Sequence, residues 1–157
     1  MAYSDYEPVR GTVVGISKGV DCCSQMMSLG TANGIVNFVI SPETQVIDSR
    51  RIRPGMQVTA FYDKSLPVPM IFPPQYQARI VTAHSGSEQV MLGDFNNNLV
   101  ASDGSLQLNI AGRTDVRTLN GQNFTCNPGG RTLLVYYTNT TRSIPPQTTP
   151  RKIVVLC

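Results

Sequence analysis

Charge is scarce in this chain of 157 residues, histidine occurs once, tryptophan is absent, and long apolar runs are missing. Asp, Glu, Lys and Arg together make up 15% of the residues. A typical soluble domain carries about 25%, so the outer surface must lean on Ser, Thr, Asn, Gln and Gly. A net charge of +3 and a pI near 8.8 fall short of the dense Lys and Arg loading of a dedicated nucleic-acid binder. That balance allows anionic partners without requiring them. No segment approaches the roughly 20 apolar residues of a membrane-spanning helix. Residues 1–8 lack the basic start and apolar core of a secretory signal. The expectation is therefore a cytoplasmic protein with no membrane partner.

Missing motifs narrow the chemistry further. Cys22, Cys23, Cys126 and Cys157 form no CxxC pair, and the lone His84 cannot complete a zinc set with them. Free thiols are expected, with disulfides as the alternative. No GxxxxGK[ST] or GxGxxG loop is present to cradle phosphate, and the acidic residues show no DxD or ExxE spacing. His84 lies in a stretch that reads as a linker between halves, with no serine or cysteine motif beside it. The expectation is a non-enzymatic protein with no catalytic residues, no metal and no cofactor.

What the chain does contain is a repeat. Residues 34–46 line up without a gap with residues 104–116, sharing the glycine at the start and the valine at the end. Pro54-Gly55 before a strand ending in Phe61 and Tyr62 recurs as Pro128-Gly129 before Thr132 to Tyr137. Pro73, Pro74 and Gln75 recur as Pro145, Pro146 and Gln147. The repeat predicts two units, 1–83 and 84–157. Units of about 70 residues bury little surface alone, so the halves are expected to pack together or share strands.

Within each unit the pattern is that of short strands. Arg10 to Ile16 is a β-branched run broken by glycine, and Val90 to Phe95 matches it, with Gly15 and Gly93 expected to mark equivalent bends. Asn33-Gly34 between apolar runs predicts a type I′ hairpin, and Ser102 to Gly104 predicts a turn at the same place in the second unit. After each turn the apolar residues alternate. Val36, Phe38 and Ile40 are expected to face inward, as are Leu106, Leu108 and Ile110. Proline-rich segments, Leu66 to Pro74 and Ser143 to Pro146, read as extended surface loops. Closing strands are expected at Tyr76 to Thr82 and Lys152 to Leu156. Five strands per copy without a long amphipathic helix make the chain all-β.

This order of elements resembles the OB-fold, a five-stranded Greek-key barrel. Residues 10–14 and 53–58 look like its first strand and the approach to its fourth. The resemblance implies two tandem five-stranded OB-like Greek-key barrels from an internal duplication. It departs from the family in the link between the third and fourth strands, which is too short and polar for the usual helix. Residues 61–76 are also similar to a segment of uncharacterised bacterial small-barrel proteins, a likeness that implies no activity.

Two groups of residues are candidates for binding. Arg50, Arg51 and Arg53 are the densest positive charge, suited to holding phosphate or carboxylate, or else form a solvated loop. Phe61, Phe72 and Tyr76 lie near the first proline-rich loop, where aromatic rings either stack on a ligand or fill the core. The loop itself is read as docking on a partner or covering its own unit. The expected function is a binding or assembly module that uses barrel faces and proline-rich loops. Its partner would be another protein, or a second copy in a homodimer. The alternative is weak binding of single-stranded nucleic acid or oligosaccharide.

Overall fold

A computed structural model describes residues 3–157, so Met1 and Ala2, where the reading for a leader begins, lie outside the described residues. The chain is all-β, with one 3₁₀ turn and no α-helix among the described residues. It divides into two compact units, Met1–Gly86 and Ser87–Cys157, just beyond the expected 83/84 break. No helix among the described residues is long and apolar enough to cross a membrane.

The first unit comprises β1 (Tyr6–Lys18), β2 (Gln25–Thr31), β3 (Gly34–Ile40), β4 (Gln45–Val46), a 3₁₀ turn at Ile47–Ser49, β5 (Gln57–Asp63), β6 (Gln75–Gln77) and β7 (Ile80–Ala83). These form one sheet in the order β4-β7-β5-β1-β2-β3-β6. β1 extends beyond the expected 10–16 at both ends because it has antiparallel partners on both sides, β2 and β5. Its register against β2 shifts between Val13 and Gly15, a bulge of the kind that glycine permits. Alternation then decides the core. Val13, Met27, Leu29, Phe38, Val58, Ala60 and Val81 are buried, with Val36 and Ile40 packed at the margin. Burying each large apolar side chain contributes about 1.5–3 kcal/mol.

The β2–β3 turn differs from the expected type. Thr31 pairs with Gly34, so Ala32 and Asn33 are the central residues, and of the three only Gly34 has positive φ, at 106°. A turn closed by a left-handed glycine replaces the type I′ form, which needs positive φ at both centres. The Thr31 hydroxyl fixes it, donating to the Gly34 carbonyl at 2.7 Å and accepting from the Asn33 N–H at 3.1 Å.

The second unit comprises β8 (Gln89–Phe95), β9 (Gln107–Leu108), β10 (Asp115–Thr118), β11 (Arg131–Tyr137), β12 (Gln147–Thr148) and β13 (Lys152–Leu156). A four-stranded sheet runs β10-β13-β11-β8, and β9 pairs with β12. Leu106 and Leu108 are buried as expected, whereas Ile110 is exposed, because β9 ends two residues before it.

Corresponding hydrogen bonds recur in the two units. Thr44 Oγ1 donates to the Ala78 carbonyl at 2.7 Å, and Thr114 Oγ1 donates to the Pro150 carbonyl at 2.8 Å. The Gln45 N–H donates to Arg79 and the Asp115 N–H to Arg151. The Gly55 N–H donates to Val13 and the Gly130 N–H to Phe95, and both glycines have positive φ. Gly130, not Gly129, is thus the counterpart of Gly55. By the same register Gly93, opposite Leu133, corresponds to Gly11, opposite Val58, rather than to Gly15.

The ladders do not close into barrels. In the first unit β4 and β6 remain as edges. Between β6 and β7 the chain changes partner within two residues: the Ala78 N–H donates to Val39 at 3.0 Å, and the Arg79 N–H donates to Phe61 at 2.7 Å. In the second unit the break between β12 and β13 contains Pro150, which has no N–H to offer a ladder.

Candidate binding surface

The longest connection in the first unit, residues 64–74, leaves β5 and returns as β6. Two tyrosines close its neck. Tyr62, the last but one residue of β5, and Tyr76, the centre of β6, stack with ring centroids 3.9 Å apart and planes at 14°. Tyr76 also packs on buried Phe38 at 5.7 Å. Burial, then Tyr76, pushes the Tyr62 hydroxyl above the usual tyrosine value. Beside the stack, Asp63 Oδ1 accepts from the Ser65 N–H at 2.9 Å and its hydroxyl at 2.6 Å, which holds the carboxyl below its ordinary value. Lys64 Nζ lies 3.1 Å from Glu7 Oε1. On the far side the Asn37 N–H donates to the Pro74 carbonyl at 2.9 Å.

Beyond that neck the loop is apolar and exposed. Leu66, Val68 and Ile71 are exposed, Phe72 is 93% exposed and Met70 is 100% exposed. Four prolines, Pro67, Pro69, Pro73 and Pro74, fix φ along the segment, so little further entropy is lost when a partner meets it. The Phe72–Pro73 bond is cis, as is Ile144–Pro145 in the second unit, where Ile144 is also fully exposed. The matching loop of the second unit is otherwise polar.

The arginines sit elsewhere. Buried Ile47 anchors a turn in which Asp48 and Ser49 both have positive φ, 62° and 51°. Arg50, Arg51 and Arg53 follow, all exposed, with no ion pair among the described residues. In the second unit Arg117 is paired with Asp115, and the Arg131 guanidinium lies over the Phe124 ring at 5.4 Å.

The aromatic candidates divide. Phe72 is at the loop tip, Tyr76 is at its neck, and Phe61 is buried in the core at 1% exposure and offers no face to a ligand. Phe61 and Tyr62 are adjacent on β5 and point to opposite faces, as period-two alternation requires, and Tyr62 shares the face of Val58 and Ala60 that packs on Phe38. No hydrogen bond, ion pair or cation–π contact joins the arginines to Phe72 or Tyr76 among the described residues.

No family model, characterised protein or solved structure matches this chain.

His84 is held inside the first unit rather than lying in a solvated linker. Its Nδ1 is 2.7 Å from the Ser85 carbonyl, which can only accept, so Nδ1 carries a proton. Nε2 is hydrogen-bonded to the Thr59 hydroxyl at 2.8 Å. Hydroxyl and imidazole are paired as a nucleophile and base would be, and Thr59 is buried. All four cysteines are unpaired and exposed.

The sequence reading missed a polar cleft of about 360 Å³ in the second unit. It lies where β9 and β12 meet the loop after β11.

Proposed function

We propose that the protein is a non-enzymatic binding or assembly module of two tandem OB-like units from an internal duplication, making contact through the loop of residues 64–74. The observation that carries this reading is the run from Leu66 to Phe72, which exposes five large apolar side chains on a segment fixed at both ends. Exposed contiguous apolar surface on a rigid support marks interaction sites. The duplication is supported by the recurring hydrogen bonds of Thr44 and Thr114, and of Gly55 and Gly130. The OB-like reading is supported by β1 pairing with β2 and β5, and by β6 and β7 together pairing with β3 and β5.

A photo-crosslinking side chain at Phe72 tests the contact, with the same group at the equally exposed Val20 as control. The expected result is one discrete adduct, to a partner protein or a second copy, from position 72 alone. Equal, diffuse labelling from both positions would defeat the reading.

A second reading, weak binding of single-stranded nucleic acid, draws on the unpaired Arg50, Arg51 and Arg53. With Phe61 buried and Tyr76 stacked on Tyr62, this binding would be electrostatic only. It predicts affinity that falls with salt and with Arg51→Ala and Arg53→Ala.

A further inference from the structure

The polar cleft of the second unit has the chemistry of a ligand site, and the strand pair beside it differs in side chains from the corresponding pair of the first unit. β6 runs parallel to β3 with Tyr76 opposite Phe38, and β12 runs parallel to β9 with Thr148 opposite Leu108. Thr148 therefore stands where the first unit has a ring stacked on Tyr62. The cleft lies beside β12 and includes Thr148 in its lining. Charge also differs at its rim. Arg113 lies in the gapless alignment opposite Glu43, which in the first unit is 3.5 Å from Arg79.

Part of the lining is already committed to holding the walls. Thr148 Oγ1 donates to the Asn139 carbonyl at 2.5 Å, the Gln147 N–H donates to Thr141 Oγ1 at 3.0 Å, and Asn109 Nδ2 donates to Gln147 Oε1 at 3.1 Å. The side chains of the other lining residues, Thr138, Thr140, Thr149 and Arg113, have no hydrogen-bond partner among the described residues. Hydroxyls both donate and accept, and a guanidinium presents a planar fork of donors that fits a carboxylate. No carboxylate and no aromatic ring lines the cleft, so recognition rests on hydrogen bonds and one positive charge.

We infer that this cleft binds an acidic saccharide, a ring rich in hydroxyls bearing one carboxylate that pairs with Arg113. The site is independent of the loop at residues 64–74, and the failure of either reading leaves the other standing.

The test titrates the full chain with a galacturonate trisaccharide and, separately, with the neutral galactose trisaccharide, followed by amide chemical shifts. The expected result is saturable shifts at Thr138 to Thr141 with the acidic sugar and at least tenfold weaker binding of the neutral one. Arg113→Ala, at an exposed position that leaves the fold intact, should weaken the acidic sugar by about tenfold, the usual scale for losing a charge-assisted bond. Equal affinity for the two sugars, no saturable shift, or full affinity in the Arg113→Ala protein would each overturn the inference.

Discussion

Gly11 sits in β1 with the β2 backbone behind it. A Cβ there would collide with the Gly30 carbonyl oxygen and crowd Leu29 Cγ at 3.0 Å, whereas a Cβ at Gly15 would meet nothing within 4 Å. Gly11→Ala should therefore destabilise the first unit by about 3 kcal/mol, the upper end for overpacking, because the obstacle is backbone. Gly15→Ala should change stability by less than about 0.5 kcal/mol. Urea denaturation of both variants checks the contrast. The sequence made Gly15 look like the essential glycine, because it follows the apolar run. The bulge at Val14 displaces the register, and no reading of residue types alone locates it. A second residue-scale outcome concerns Ser49, whose left-handed φ of 51° strains an L side chain. Ser49→Gly removes a penalty of roughly 1–2 kcal/mol and adds a smaller entropic one, so a modest rise in melting temperature is expected.

At the scale of elements, alternation and turn residues carried most of the information. Val36, Phe38 and Ile40 face inward, and the glycines at 34 and 104 close turns where expected. What stayed hidden depended on pairing across strands. That Phe61, on the face of β5 opposite Val58, Ala60 and Tyr62, is nonetheless buried is not legible from alternation, which places only Tyr62 with the Phe38 cluster. The Tyr62–Tyr76 stack follows from β6 pairing in parallel with β3, a partnership far apart in sequence. The cleft depends on a pairing of the same kind, since β9 and β12, which contribute to its lining, are far apart in sequence.

The neck of the loop also has a pH signature. Tyr62 keeps its proton longer in the folded chain than in the unfolded chain, so its contribution is complete below the ordinary tyrosine value of 10.0 and is lost as pH rises past it. Absorbance at alkaline pH should resolve late-titrating tyrosines, Tyr62 together with Tyr6 and Tyr137, whose hydroxyls burial also raises. Tyr76→Phe removes the hydroxyl that opposes ionisation and should bring the Tyr62 titration earlier. It should not bring it fully back, because burial is the larger cause. Asp63 has the opposite sign: its lowered value adds stability above the ordinary 3.8, and this is lost as pH falls. The loop should thus be best held between these limits, and more open to protease outside them.

For the whole molecule, the two units share hydrogen-bond positions yet present different chemistry. The first carries exposed apolar residues on a proline-rich loop, and the second carries a polar cleft at the matching place. Thr44 and Thr114 make matching hydrogen bonds, while the loops after β5 and β11 differ in chemistry, so the recurring frame carries two different surfaces. The claim at the centre of this account is that the loop is a contact surface. Light scattering across a wide concentration range, with and without native lysate, tests it most directly. The comparison is between the wild-type chain and a Met70→Ser, Phe72→Ser variant with the same circular dichroism and melting temperature. The account predicts a stable oligomer or a discrete complex for the wild type, and a monomer for the variant. A wild type that remains monomeric and unpartnered throughout, or a variant that assembles equally well, would contradict it.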